Sequence, residues 1–496
     1  MQRNYSQNPH LFLSAMFYLI IFIGAFLAIY QFIFNRSLWL DEASLALNII
    51  NKNFIELTTP LDYYQVAPIG FLFIEKISTL LFGKNEFALR IFPLISFLLS
   101  IPFFYLLSNK LSKNNVIALI STSFFSISYS LLYYSSEVKQ YSSDVLLTII
   151  ILFYTLTLQL NKDKSLFIYA IIGGFALWIS NISVIILFVA GIYTLYIEGY
   201  RNKNYKILLP LLFWAASFLV YYFLFIHNHS TTEIMMTYWE KSFLPINPFS
   251  KDFYIFLYQA IQDIYFHLLN FGIFWFFALI ISLSAIEFML KQKKYALLFL
   301  CLTPVVVNLL LSGLKLYPFS GRLILYIVPL ILFIFSIGLY HLYEFTNKKT
   351  VIFSYFLLIL PVLIMFHSIH SNFPIKKEEI KSSLNYIEKN IKQDEAIYLY
   401  SGSYRAFAFY EQTKIIHINN PIIVGASYRN ENYKYKHELL NLKGKVWLLF
   451  SHVYLVRKKD NEEKYMMGFL LSNGSELLDV KKFSGSSVYY VDTKKL

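Results

Sequence analysis

The sequence predicts an α-helical polytopic membrane protein with about eleven transmembrane helices, followed by a small α/β domain. Three observations carry this. Of the 496 residues, 57% are hydrophobic and only 15% are charged, against roughly 25% charged in an average soluble domain. Apolar runs long enough to cross a bilayer recur as far as residue 370. Beyond that point they stop, and short strand-like and helix-like segments alternate. Such a composition excludes a wholly cytosolic enzyme and a disordered chain.

A crossing helix needs roughly 17–25 largely apolar residues. Runs of this kind lie at 11–34, 87–108, 115–134, 143–160, 165–180, 182–198, 207–227, 263–288, 295–312, 323–345 and 350–370. The first lacks a small-residue cleavage site and reads as a retained helix rather than a signal peptide. The pair at 165–180 and 182–198 is joined near Asn181. It reads either as two short spans or as a re-entrant hairpin. Lys110, Lys113, Lys162, Lys164, Arg201, Lys203, Lys206, Lys291, Lys293, Lys294, Lys348 and Lys349 all fall in alternate short loops, with only Asp163 and Glu198 to oppose them. Those loops are therefore expected on the cytoplasmic side, together with the N-terminus. An odd number of spans puts the tail after residue 370 on the other side. The net charge of +13 then reports topology, and no nucleic-acid partner is expected. The lone cysteine, Cys301, sits in an apolar run and supplies neither a disulfide framework nor a thiol metal site.

Two domains are expected: 1–370 in the membrane, with a first outer loop at 35–86, and 371–496 as a soluble extracytoplasmic α/β unit. The tail opens with an amphipathic helix carrying Ile380, Leu384, Ile387 and Ile391 at helical spacing. AIYLYSG, PIIVGA, KVWLLFSH and SVYYVDT read as strands, with RAFAFYEQT and NEEKYMMGFLLSN as helices between them.

The chemistry follows from where charges are absent. The middles of the apolar runs contain no Asp, Glu, Lys or Arg, whereas ion-coupled transporters usually place acids there. Function is thereby moved to the outer face. In the first outer loop, Asp41 and Glu42 follow the first span at once. Asp41 reads either as a helix N-cap or as a carboxylate at the membrane surface, able to take a proton from an incoming hydroxyl or to hold a metal ion. The apolar stretch from Phe71 to Phe82 is too short to span and suits the interface. In the second outer turn, Glu137, Lys139, Tyr141 and Asp144 crowd between two spans, as an ordinary polar turn with an Asp cap or as a second acidic cluster. Late in the chain, Lys315 and Arg322 flank Tyr317, Pro318 and Gly321. Arg322 and Arg90 break the positive-inside pattern. Each reads as snorkelling to headgroups or as a planar grip on a phosphate. His227 and His229 form an H-x-H pair, which reads either as a metal site or, more commonly for two lone loop histidines, as no ligand at all.

Taken together, LWLDEA after the first span, YYQVAPIGFLFIEKISTLLFGKNEFALRIFPLI across the first loop, YYSSEVKQYSSDVL at the second turn and LYPFSGRLILYIVP late in the chain resemble the GT-C superfamily of polyprenyl-phosphate-sugar glycosyltransferases. The likeness covers roughly residues 15–345 and extends to protein O-mannosyltransferases and the lipid A aminoarabinose transferase. It implies a GT-C-like fold in a bacterial cytoplasmic membrane, with the active site on the non-cytoplasmic face. It implies transfer of a sugar from a polyprenyl-phosphate donor to a glycan, lipid or protein acceptor, usually with inversion. Asp41 would be the base or acceptor-orienting carboxylate, with Glu42 beside it, and the second acidic group would fall on Glu137 or Asp144. Arg90, Lys139, Lys315 and Arg322 would be candidates for the donor phosphate. Tyr64, Gln65, Tyr141 and Tyr317, lying beside these groups, are candidates for the substrate pocket. Many relatives carry Lys or His before a double proline in the first loop, where this chain has Ala67-Pro68-Ile69. The superfamily divides over a divalent cation, so metal dependence stays open. Two other classes fit the composition: a lipid-linked glycan flippase or transporter, and a non-catalytic envelope-polysaccharide scaffold. The empty mid-membrane speaks against the first, and the two acidic clusters speak against the second.

Overall fold

Helix α1 (Pro9–Phe34) begins the chain, in a computed structural model that describes residues 9–227, 232–347, 350–428, 431, 433–455 and 461–493. The first outer loop then forms α2 (Leu40–Asn51) and α3 (Ile69–Phe82). Amphipathicity makes α3 a surface helix: Phe71 and Leu72 are buried while Ile77, Leu80, Leu81 and Phe82 are exposed. The membrane part continues through α4 (Ile91–Ser112), α5 (Asn115–Ser126), α6 (Tyr129–Tyr134), α7 (Tyr141–Thr157), α8 (Asp163–Ile179), α9 (Ser183–Thr194) and α10 (Leu208–Tyr221). After the short α11 (Thr232–Tyr238) and the amphipathic α12 (Lys251–Gln262) come α13 (Trp275–Lys291), α14 (Tyr295–Gly313), α15 (Val328–Asn347) and α16 (Val351–Asn372).

Among the described residues, eight stretches are long and apolar enough to cross a membrane, which makes this an integral, multi-pass membrane protein. The expected eleven would also require 115–134, 143–160 and 165–180. The first of these is broken between α5 and α6, and the helices α7 and α8 have 17 residues each. The expected span 263–288 is not continuous. Asp263–Leu268 prolongs α12 as a wide turn, the chain reverses at Asn270 (φ 59°) and Gly272 (φ 51°), and a new helix follows. Asn and Gly tolerate the left-handed region, so the break was written in Asn270-Phe271-Gly272.

Helix α15 is the hub of the membrane part. In the most apolar 18 residues of 321–347, 89% are buried inside the protein, against 11% in those of 13–34 within α1. Helix α15 packs against α13, α16, α5, α14, α4 and α7. Gly338 permits the closest approach: a Cβ there would stand 2.1 Å from the Ile281 carbonyl oxygen of α13. Small residues allow such contacts where lipid supplies no hydrophobic drive between helices.

The C-terminal part holds α17 (Ile380–Asn390), β1 (Ala396–Leu399), α18 (Tyr404–Gln412), β2 (Ile422–Val424), α19 (Lys434–Leu439), β3 (Lys445–Ser451), α20 (Glu462–Ser472), β4 (Glu476–Phe483) and β5 (Ser486–Asp492). The sheet order is β2-β1-β3-β5-β4. Strand β1 is parallel to both neighbours, with Ile397 opposite Ile422 and Trp447, and β5 and β4 are antiparallel additions. The four expected strands and both expected helices are present; β4 and α19 are additional. This sheet shares a hydrophobic core with the first outer loop: Leu38, Ala43, Leu47 and Leu72 pack in one cluster with Ile380, Leu384, Phe407 and Trp447. Lys381 pairs with Glu86 at 2.8 Å, and the Tyr410 hydroxyl donates to the same carboxylate at 2.8 Å. The carboxyl ends of β1 and β3 consequently face the loop that carries Asp41.

Candidate active site

Successive residues on an α-helix point about 100° apart, and this separates Asp41 from Glu42. Glu42 turns inward and is 0% exposed. It accepts from Arg36 Nη1 at 3.1 Å, Arg90 Nε at 3.2 Å, Arg90 Nη2 at 2.9 Å and the Val138 amide at 3.0 Å. Burial alone would raise its pKa; Arg36, Arg90 and the Val138 N–H outweigh burial and hold it low. Arg36 also reaches Glu137 Oε2 at 3.4 Å and the Ser136 carbonyl at 3.2 Å. Arg90 reaches the Arg36 carbonyl at 2.7 Å. The result is a dry layer of two arginines and two carboxylates that ties the start of α2 to the start of α4 and to the 135–140 turn.

Asp41 points the other way and keeps partial access to solvent, with 23% of its side chain exposed. The N-cap of α2 is Trp39, which has no side-chain cap bond, so the capping reading of Asp41 is not what the structure shows. Its Oδ2 instead lies 2.5 Å from Arg322 Nη2. Burial opposes ionisation here, but Lys139 and then Arg322 outweigh it and hold the carboxyl below its ordinary range. Lys139 is buried and donates to Gln65 Oε1 at 2.6 Å. Burial, and then Arg322, pull its ammonium below the ordinary lysine range despite Asp41. Arg322 follows Gly321, whose left-handed φ of 48° turns the chain and whose amide donates to Asp263 Oδ2 at 3.0 Å. The Arg322 guanidinium lies 5.2 Å from the Trp39 ring centre and 5.9 Å from those of Tyr141 and Trp239.

The structure thus brings Asp41, Lys139, Arg322, Gln65 and Tyr141 together, and sets Glu42, Arg90 and Glu137 in the buried layer beneath them. Glu137 keeps one oxygen, Oε1, without a hydrogen bond. Asp144 is not a cap either: Gln140 is the N-cap of α7. Asp144 is buried one turn along that helix, within electrostatic reach of Tyr141 and Tyr317. Lys315 is exposed at the end of α14, and Tyr64 is exposed in the first loop. Among the described residues, neither is joined to the Asp41 cluster by a hydrogen bond or ion pair. His229 of the H-x-H pair lies outside the described residues.

Sequence reasoning missed Arg36, Trp39, Lys377 and Arg405. Lys377 reaches the cluster from the segment that follows α16, with its Nζ 3.0 Å from the Trp39 ring centre. Burial holds that ammonium below its ordinary range. Arg36 carried a usable signal, since it breaks the positive-inside pattern as Arg90 and Arg322 do. Around Asp41 the neighbours are cations, and among the described residues no three His, Cys, Asp or Glu side chains converge as metal ligands. This donor set does not fit a divalent ion.

Residues 66–228 match the family model described as dolichyl-phosphate-mannose-protein mannosyltransferase. A comparison with curated proteins finds no match. Among solved structures, the chain is similar to ArnT from Cupriavidus metallidurans bound to undecaprenyl phosphate, at 9% identity and a TM-score of 0.54, covering 96% of this chain and 97% of that one. It is also similar to the oligosaccharyltransferase AglB from Archaeoglobus fulgidus in complex with an inhibitory peptide and a dolichol-phosphate, at 11% identity and a TM-score of 0.50, covering 95% and 74%. The fold is that of the GT-C glycosyltransferases, and the resemblance read in the sequence agrees with it.

Proposed function

We propose that the protein is a membrane glycosyltransferase that moves a sugar from a polyprenyl-phosphate donor to a hydroxyl-bearing acceptor on the non-cytoplasmic face, with inversion. One observation carries the reading: Asp41, Arg322 and Lys139 converge at the membrane-surface end of the bundle, on a rigid buried layer. The undecaprenyl phosphate and dolichol-phosphate of the structural neighbours and the donor in the family model's description support the lipid-phosphate class. The Lys-rich loops at the opposite ends of the spans support the orientation.

The acceptor oxygen attacks the anomeric carbon while the bond from that carbon to the phosphate oxygen breaks. The acceptor proton passes to the Asp41 carboxylate. Polyprenyl phosphate departs with the bonding electron pair, and Arg322 and Lys139 stabilise its growing charge where water is scarce. Glu42 and Arg90 position this machinery without touching substrate, and Glu137 balances Arg36. Asp144, buried in the first turn of α7, and exposed Lys315 are left without a step.

The test is turnover of radiolabelled polyprenyl-phosphate sugars by the purified protein in nanodiscs, with D41N beside the wild type. Transfer by wild type and its loss in D41N are expected. Full D41N activity would refute the base assignment, and lipid movement without transfer would replace the reading with a transporter.

A further inference from the structure

A further cation, Arg405, stands within electrostatic reach of Asp41, and no step above uses it. Arg405 opens α18 just beyond the carboxyl end of β1, the edge of a parallel sheet where open α/β folds commonly bind ligands. Its guanidinium lies 4.0 Å from the Tyr63 ring centre and donates to the Ser44 hydroxyl at 3.3 Å. Asp41, Tyr404 and Tyr454 are within its electrostatic reach. Among the described residues, no carboxylate lies within ion-pairing distance of it.

Rings line the path from Arg405 to Arg322. The His452 ring is 5.9 Å from Trp39 and 5.0 Å from Tyr454. His452 itself is held by Glu378 Oε1 at 2.7 Å from Nδ1. The backbone is strained on both walls: Tyr63 and Tyr64 have φ values of 63° and 55°, and His452 has 53°. Consecutive left-handed tyrosines are unusual, and such strain persists where a binding wall must be held in shape.

We propose that the surface formed by Tyr63, Trp39, His452 and Arg405, where the first outer loop meets the carboxyl edge of the C-terminal sheet, binds the acceptor, and that the acceptor is a saccharide bearing an anionic group that Arg405 grips. The inference rests on the donor reading above. An inverting displacement brings the nucleophile in opposite the leaving group. With the phosphate at Arg322 and Lys139, the acceptor enters from the Arg405 side of Asp41. The aromatic faces offer apolar area to a sugar ring, and a planar guanidinium matches a carboxylate or phosphate.

The experiment measures binding to the full-length protein in nanodiscs loaded with undecaprenyl phosphate. Two matched pairs serve as probes, methyl glucuronide against methyl glucoside and glucose 6-phosphate against glucose, separating carboxylate from phosphate. The charged member of at least one pair is expected to bind roughly tenfold more tightly. R405Q should erase that preference, and R405K should keep part of it. Equal binding within both pairs, or a preference that survives R405Q, overturns the proposal, as does one lost in R322Q but not in R405Q. Undecaprenyl phosphate binding is measured separately. It should be intact in R405Q, which also reports folding. Its absence in the wild type would sink the donor reading while leaving the Arg405 preference standing.

Discussion

Adjacent residues Asp41 and Glu42 should fail in opposite ways. Glu42→Gln keeps the side-chain shape but removes one of the two carboxylates facing Arg36 and Arg90, both 1% exposed. Breaking a buried pair from one side leaves an uncompensated charge and costs about 3–5 kcal/mol. Asp41→Asn breaks the ion pair with Arg322, whose partners are 23% and 16% exposed at the side chain, and removes the negative charge facing Lys139 and Lys377. Solvent screening holds that cost to about 1 kcal/mol or less. Fluorescence-detected size exclusion after heating should therefore show E42Q melting well below wild type at pH 7 and D41N close to it. D41N should retain donor binding and lose transfer. Acid supplies a second check. The Glu42 pKa is depressed in the folded state, so its stabilisation is complete above the ordinary glutamate range, about 4.3, and is lost as pH falls through the lower folded value. The gap between wild type and E42Q should close only in strong acid. An E42Q protein as heat-stable as wild type, or a D41N protein that unfolds, would refute the division into a structural and a chemical carboxylate.

Arg322→Gln and Lys139→Gln should each weaken undecaprenyl phosphate binding and lower turnover by about tenfold or more, since each removes a charge-assisted contact; equilibrium binding and initial rates decide it. Because the neighbouring cations hold Asp41 low, kcat/KM should stay flat on acidification past pH 5 and fall only below the ordinary aspartate range, about 3.9. A limb near pH 6 would assign the base elsewhere. Turnover should survive excess EDTA, because Arg322 and Lys139 supply the positive charge; chelator-sensitive turnover would refute that assignment. Glu75 is fully buried in α3 with neither carboxyl oxygen hydrogen-bonded, and burial raises its pKa well above the ordinary value. A raised carboxyl pKa costs stability as pH climbs from the unfolded toward the folded value. Glu75→Gln should thus stabilise the protein by about 1–3 kcal/mol at pH 8 and little at pH 4, read as a melting shift that shrinks on acidification.

Much of the architecture was legible because hydropathy and Lys placement are local signals. The break at 270–272 was missed, because 263–288 reads as one continuous apolar run although Asn270 and Gly272 carry the signal. β4 was missed as well, because Glu476, Asp479, Lys481 and Lys482 mask the alternation of an edge strand. In the site, Asp41, Lys139 and Arg322 stood out as charges on the face where topology does not call for them. Lys377 could not: it lies in a Lys-Lys-Glu-Glu run that reads as a solvated surface, and only the shared core of loop and C-terminal sheet carries it onto Trp39. The opposite fates of Asp41 and Glu42 were equally hidden, since a dipeptide does not say which side of its helix will be buried.

On the proposed function, the charge arrangement would also order the reaction. The buried layer is balanced, with Glu42 and Glu137 against Arg36 and Arg90. The layer above is not: Asp41 faces Arg322, Lys139 and Lys377. That surplus suits an arriving phosphate. Without one, Arg322 is spent on Asp41 and keeps it a weak base. A phosphate between Arg322 and Lys139 competes for the same guanidinium and cancels part of the field that depresses Asp41, so the carboxylate becomes more basic as the donor is seated. On the proposed function, proton acceptance would thereby be tied to donor occupancy, and water reaching Asp41 before the donor would meet a base too weak to activate it.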